Sequence, residues 1–296
     1  MKKRIFKVAK VICCWTLFTL LAAGSIGLSG CASKQAASLP PITPTPTGQH
    51  QIGKFVWFDL LTEDVQAAQK FYTELFGWRF EASAGSSDYA VIYSGNKPIG
   101  GIVGQGNNDP EVQESIWLAS LSVENVDRAV SAVKARYGKV LDDPMDVKGR
   151  GRMAVIQDPE GAQLVLIRSS GGDPPDAGIN SGEWLWVDLF TRDAQTANEF
   201  YEALAGYTTQ AIKTEGDHSY NLLQRNGRSY GGVVELPWED VEPNWLPYIK
   251  VDDLENIIGQ AEKLGGVLIL RMKNVAIIAD PSGGVFGIQM VGGTGS

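Results

Sequence analysis

Two short segments carry the side chains best suited to chemistry: Trp57-Phe58-Asp59-Leu60 and Trp186-Val187-Asp188-Leu189. In each, an indole and a carboxylate stand two residues apart, so on a strand they share one face. A carboxylate held beside an indole can hold a ligand by a hydrogen bond or charge, or it can serve as a general acid or base. Asp59 and Asp188 are therefore the candidate catalytic groups. The alternative is packing alone, with each tryptophan filling a sheet core and each aspartate accepting local hydrogen bonds.

The segments belong to a longer duplication. An offset of 129 residues carries Glu63-Asp64 onto Arg192-Asp193, Phe71-Tyr72 onto Phe200-Tyr201, and Leu75-Phe76-Gly77 onto Leu204-Ala205-Gly206. Phe55–Leu61 reads as a strand and Val65–Phe76 as a helix, with apolar residues at three- and four-residue spacing and Gly77 as its stop. Strands follow near Tyr89–Tyr93 and Pro98–Val103. The order then recurs in weaker form: strand Ile116–Val123, helix Val126–Tyr137, and strands near Val140–Leu141, Arg152–Gln157 and Gln163–Ile167. Asp158-Pro-Glu-Gly161 supplies the last tight turn. The second half repeats this plan: strand Trp184–Phe190, helix Ala194–Leu204, strands near Tyr220–Arg225, Tyr230–Glu235 and Trp245–Val251, and helix Leu254–Leu264. Its final strands, Val275–Ala279 and Val285–Met290, flank the turn Asp280-Pro-Ser-Gly283.

This order resembles the vicinal oxygen chelate superfamily, which includes glyoxalase I, extradiol dioxygenases and fosfomycin and bleomycin resistance proteins. The resemblance rests on the acidic turn, the helix ending Phe-Tyr-x-x-Leu-Phe-Gly, and Asp-Pro-Glu/Ser-Gly before the last strand, present in both halves over about 230 residues. The Trp-x-Asp-Leu opening is most similar to a glyoxalase-like group that includes mycobacterial secreted antigens. The resemblance implies an α+β fold of tandem glyoxalase/bleomycin resistance/dioxygenase-like domains, each built from two βαβββ units curved around a cleft. The expected domains are 53–168 and 182–292, joined by a linker over 169–181.

Metal-using members of the superfamily place a histidine on the opening strand of each unit and a glutamate on the final strand. Counting from the shared motifs puts Trp57, Leu118 and Val165 at those positions in the first half, and Trp186, Leu246 and Gly287 in the second. None offers a ligand, whereas a divalent ion needs three or four converging imidazoles or carboxylates. Glu235 could supply one oxygen, but Gly104 stands in its place in the first half. The chain has two histidines, His50 and His218, both outside the predicted clefts. No metal and no other cofactor is expected.

The cleft faces would then hold Trp57, Asp59, Tyr89, Val91, Tyr93, Leu118, Ser120, Gln163 and Val165 in the first domain. The second would present Trp186, Asp188, Leu246, Tyr248 and Lys250, with Phe286 or Ile288 according to register and Lys250 as a partner for Asp188. The ligand-binding set is Trp57, Asp59, Tyr89, Leu118, Trp186, Asp188, Tyr248 and Lys250, an aromatic, mostly apolar surface with one fixed acid, suited to a small organic ligand. Gly100-Gly101 and Gly231-Gly232 read as close-packed strand positions, without the strand–turn–helix setting of a phosphate loop. Trp238 and Trp245 flank the acidic stretch Pro237–Pro243, a candidate lid or partner contact.

The first thirty residues are of another kind. Five basic residues precede an apolar stretch from Val11 to Leu28, and Leu28-Ser29-Gly30-Cys31 resembles a bacterial lipoprotein signal. The resemblance implies a signal peptide over 1–30, acylation (palmitate among the chains) of Cys31, and a flexible, proline-rich tether over 31–52; the alternative is an uncleaved membrane anchor, since about 18 apolar residues could nearly span a bilayer. The resemblance places the folded part at the membrane surface in the cell envelope; in a Gram-negative host, Ala32 after Cys31 favours the outer membrane, facing the periplasm. Loss of the five basic residues would take the formal charge of -8 to -13, which disfavours nucleic acid. The expected partners are a small organic ligand and, through Cys31, the bilayer. The expected function is binding of a small apolar or aromatic molecule in metal-free clefts. The alternatives are a metal-independent lyase, isomerase or hydroxylase-like enzyme using a cleft aspartate, and a non-catalytic scaffold for an envelope protein.

Overall fold

A computed structural model describes residues 38–83, 88–105, 115–213, 219–236, 238 and 240–291. The leader, Cys31 and His218 lie outside the described residues. The first half runs β1 (Phe55–Thr62), α1 (Val65–Phe76), β2 (Arg79–Ala82), β3 (Tyr89–Ser94), β4 (Lys97–Gly104), β5 (Ile116–Ser122), α2 (Val126–Ala135), β6 (Lys139–Val147), β7 (Gly151–Gln157) and β8 (Gln163–Ser169). The second runs β9 (Trp184–Thr191), α3 (Ala194–Ala205), β10 (Thr208–Lys213), β11 (Ser219–Arg225), β12 (Arg228–Glu235), β13 (Asn244–Val251), α4 (Leu254–Lys263), β14 (Val267–Arg271), β15 (Val275–Ala279) and β16 (Val285–Met290).

Each half is one eight-stranded sheet, ordered β2-β3-β4-β1-β5-β8-β7-β6 and β10-β11-β12-β9-β13-β16-β15-β14. A βαβββ unit fills either side of each sheet, and the units join where the opening strands pair antiparallel. At that seam Asp59 lies opposite Leu118, and Asp188 opposite Leu246. Within each unit the opening strand runs parallel to the last, as the crossover helix requires. The helices start where the sequence predicts: the Asp64 side chain accepts from Ala67 N, and Asp193 from the Gln195 and Thr196 amides. Three strands, β2, β10 and β14, go beyond the sequence expectation; β2 and β10 are mostly exposed, and β14 is half-buried.

Alternation along the strands separates two faces. Phe58 and Leu60 join the helices in one large core shared by both halves. Trp184 lies in that core with ring centroids 4.8 Å from both Phe58 and Trp117, and Phe55 packs 4.6 Å from Trp245. Phe286 sits 5.5 Å from Tyr72. Both Phe286 and Ile288 therefore face the shared core, and neither lines the second cleft as the sequence led us to expect. Trp245 is buried there too, away from the surface expected for it, while Trp238 is exposed; Pro237 and Glu239 lie outside the described residues.

Two reciprocal clasps cross between the halves. Tyr72 Oη donates to Asp280 Oδ2 at 2.9 Å, and Tyr201 Oη donates to Asp158 Oδ2 at 2.9 Å. Trp117 and Trp245 donate their indole N–H groups to the same two hydroxyls at 2.9 and 2.8 Å. The Phe-Tyr and Asp-Pro signatures thus meet across the domain boundary. Each aspartate also accepts backbone N–H groups of its own turn, so burying it leaves few polar atoms unpaired.

The segment expected as a flexible tether is, from residue 38 onward, a strap on the first sheet. Leu39, Ile42 and Thr43 are buried, and the first two pack with Trp57, Met153, Val155 and Ile167. The Leu39 amide donates to Lys148 O, and the Thr47 and Gly48 amides to Gly171 O. Asp173 secures the end of the strap by accepting from Gln51 N, Ser122 Oγ and Ser169 Oγ. His50 is part of this anchor, 3.7 Å from Asp173. The prolines remove donors that a buried segment would otherwise have to satisfy, which suits a strap with few partners.

Candidate functional site

The two Trp-x-Asp segments build the same constellation twice. In the first cleft Trp57 Nε1 donates to Asp59 Oδ1 at 2.9 Å and to Tyr89 Oη at 3.1 Å, while Tyr89 Oη donates to Asp59 Oδ1 at 2.8 Å. In the second, Trp186 Nε1 donates to Asp188 Oδ1 at 2.8 Å and to Tyr220 Oη at 2.9 Å, and Tyr220 Oη donates to Asp188 Oδ1 at 2.8 Å. Tyr248 also neighbours Asp188 and favours its charged form.

The second glycine of each pair makes room for this contact. A Cβ on Gly101 would lie 2.0 Å from Tyr89 Oη and 2.2 Å from Asp59 Oδ1; on Gly232 it would lie 2.2 Å from Tyr220 Oη and 2.4 Å from Asp188 Oδ1. The glycine, the tyrosine and the Trp-x-Asp are one unit built across three strands.

What covers the two units differs. Trp57 is 1% exposed. The guanidinium of Arg150, itself 0% exposed, lies 4.7 Å over the Trp57 ring and 5.5 Å over Tyr89. Its Nη2 donates to Tyr89 Oη at 2.7 Å and its Nε to Pro40 O at 2.8 Å, which ties the strap down over the cleft. Arg150 belongs to the turn Gly149-Arg150-Gly151, where a Cβ on Gly149 would lie 2.3 Å from Leu39 O. Trp186, by contrast, is only partly buried. Around it Phe190, Leu246, Tyr248 and Ile277 are buried, while Val234, Leu236, Ile269 and Leu270 keep part of their surface open.

The electrostatics differ accordingly. Burial pushes the Asp59 carboxyl upward, opposed by Arg150 and by hydrogen bonds from Tyr89 and Trp57. Burial also raises the Asp188 carboxyl, opposed only by hydrogen bonds from Tyr220 and Trp186 and by the neighbouring Tyr248. Lys250 does not supply the missing charge, because its ammonium donates to Ile179 O at 2.8 Å.

Leu118 packs in one buried cluster with Trp57, Val91 and Val165. Ser120 is buried with its hydroxyl unpaired among the described residues. Arg150 and Tyr220 were missed from the sequence. Tyr220 is the counterpart of Tyr89 at an offset of 131 rather than 129, a shift that hides it from a fixed-offset comparison. The signal for Arg150 was a lone arginine between two glycines.

The metal set of the resembling enzymes does not fit these side chains. The Trp57 and Trp186 indoles donate hydrogen bonds and present no lone pair to an ion, Leu118, Val165 and Leu246 are hydrocarbon, and the ring of Tyr248 lies against Gly287. Among the described residues, no group of three or more His, Cys, Asp or Glu converges.

Comparison with known proteins agrees with this architecture. Residues 54–166 match the Glyoxalase/Bleomycin resistance protein/Dioxygenase superfamily. CFP32 of Mycobacterium tuberculosis, which carries a provisional glyoxylase name, is 30% identical over 241 residues, covering 78% of this chain and 92% of that one. The anthracycline biosynthesis protein DnrV of Streptomyces peucetius is 29% identical over 231 residues, covering 72% and 82%. The Mn(II)-bound glyoxalase of Novosphingobium aromaticivorans has the same fold at a TM-score of 0.58 and 14% identity, over 81% of this chain and 82% of that one. Homoprotocatechuate 2,3-dioxygenase of Brevibacterium fuscum, in its substrate complex, also gives 0.58 at 14% identity, over 83% and 82%. The chain belongs to the glyoxalase/bleomycin resistance/dioxygenase superfamily, in its two-domain form.

Proposed function

We propose that this protein is a lipid-anchored envelope protein that binds a small apolar or aromatic molecule in its second cleft without a metal. The observation that carries the reading is the contrast between Trp57, 1% exposed beneath Arg150 and the strap, and Trp186, partly open beside partly buried apolar walls. An accessible indole beside a carboxylate in a hydrophobic concavity is a common composition for an organic ligand site. Relatives named for anthracycline biosynthesis support an aromatic ligand class. The first domain serves as a closed structural partner. Acylation of Cys31 would hold both domains at the outer membrane, facing the periplasm, with residues 32–37 leading to the strap.

The test is a titration of full-length protein, labelled with ¹⁵N in its tryptophans, with 2-naphthol. The Trp186 indole resonance, assigned with Trp186→Phe, is expected to move while that of Trp57 stays fixed. Movement of Trp57, or of neither indole, contradicts the reading. One observation favours a catalytic alternative: the raised Asp188 carboxyl is the kind of group that transfers protons. In that case Asp188→Asn would abolish turnover yet keep the Trp186 response.

A further inference from the structure

We propose that the second cleft selects organic cations, in which an ammonium or guanidinium group is joined to an apolar or aromatic body. This rests on the reading of that cleft as the binding site and names the chemistry it prefers.

The duplication supplies the template. Both clefts hold the same tryptophan, aspartate and tyrosine at matching distances, with a glycine cut away beneath them. In the first cleft a cation completes the group: the Arg150 guanidinium lies over the indole and donates to the tyrosine hydroxyl that is bonded to Asp59. The carboxylate, the indole face and the phenol oxygen all present negative potential to that position. The first domain thus shows, with its own side chain, what such a constellation holds.

In the second cleft no arginine or lysine lies over the Trp186 ring among the described residues. Eight residues before Asp158 stands Arg150; eight before Asp280 stands Met272, which is 48% exposed. The neighbouring Arg271 is turned away to Glu255, with Nη2 to Oε1 at 2.6 Å. Lys250 is committed to Ile179 O. The strap has no counterpart either, because the residues eighteen before Trp186 belong to β8, whereas those eighteen before Trp57 form the strap. What remains is a carboxylate 7% exposed, bonded to neutral donors, beside a partly open indole. A buried carboxylate surrounded only by neutral donors is under-compensated, and a cation entering from solvent corrects this. The formal charge of -8 adds a general attraction for cations. The open apolar residues Val234, Leu236, Ile269 and Leu270 would take the body of such a ligand.

The test uses the full-length chain in detergent and three probes of nearly equal shape and opposed charge: benzylguanidinium, neutral benzylurea and anionic phenylacetate. Affinities come from calorimetry, and the site from the Trp186 indole resonance. Benzylguanidinium is expected to bind one per chain, at least tenfold more tightly than benzylurea, and to move Trp186 but not Trp57. Phenylacetate is expected to leave Trp186 unmoved. In Asp188→Asn the cation and benzylurea should bind alike. Equal affinities at Trp186 in the unmodified protein would overturn the cation preference and leave the binding reading standing. A cation preference that persists in Asp188→Asn would likewise overturn it, by assigning the preference to other acidic groups. If no probe, and not 2-naphthol either, moves Trp186, both readings fall together.

Discussion

Arg150 lies 4.7 Å over the face of Trp57 and is fully buried there, while Trp186 has no such cover among the described residues. The difference separates two otherwise matched clefts, and it makes Arg150 the residue on which closure of the first one turns. Arg150→Met would remove the cation that offsets Asp59 and the donor that holds Pro40. The expected loss is about 3 kcal/mol of unfolding free energy, since uncovering a buried charge is costly. In Asp59→Asn the same arginine substitution should cost less by about 1 kcal/mol or more, a coupling that a double-mutant cycle by urea unfolding would read.

The strap should behave as core rather than as tether. Ile42 is 2% exposed, so Ile42→Ala is expected to destabilise the protein by about 2–4 kcal/mol. A loose tether would tolerate the change. Acrylamide quenching of a variant in which Trp57 is the only fluorescent indole should rise with Ile42→Ala, because Ile42 and Trp57 share one small cluster.

The clasp at Tyr201 and Asp158 predicts a pH dependence. Burial raises the Asp158 carboxyl from 3.8 to about 6, against the hydrogen bonds from Tyr201 and the turn amides. An acid with a raised value in the folded state favours folding most below its unfolded value, and that contribution fades as pH rises through about 6. It amounts to about 3 kcal/mol, because each tenfold gain in proton affinity on folding is worth about 1.4 kcal/mol. Asp158→Asn, which keeps an acceptor for the turn amides, should therefore gain stability relative to the parent between about pH 4 and pH 7. A constant difference across that range in thermal melts would contradict this account.

Metal should be dispensable. Because the positions that carry ligands in the resembling enzymes hold Trp57, Leu118, Val165, Trp186, Leu246 and Gly287, natively purified protein is expected to contain far less than one equivalent of zinc, nickel, iron or manganese. Dialysis against EDTA should leave the melting temperature unchanged. A stoichiometric metal, or a melting temperature lowered by chelation, would show that ligands converge from unexpected positions.

Much of this architecture was legible in the sequence because duplication turns weak local signals into paired ones. The caps Asp64 and Asp193, the stops Gly77 and Gly206 and the two Asp-Pro turns all recur, and together they define the βαβββ units. The pairing of Trp with Asp on one face follows from strand alternation alone. The edge strands β2, β10 and β14 were not legible, since none of them is buried on a full face and none carries an alternating pattern to read. The faces of Phe286 and Ile288 depended on a register that no local rule fixes. The strap was missed for a different reason. Leu39 and Ile42 are two isolated apolar residues among prolines, and their burial comes from contacts with residues about a hundred positions away. The same long-range contact hid Arg150, whose role exists only once the strap and Trp57 lie on either side of it.

The central claim is that the second cleft is open to a ligand while the first is closed by the chain itself. Its most direct test is a crystal structure of the natively purified protein soaked with 2-naphthol. The account predicts ligand density against the Trp186 indole, beside Asp188 and Tyr248, with Arg150 and Leu39 still covering Trp57. Density against Trp57, or a Trp186 indole closed over by its own domain with no ligand, would contradict it.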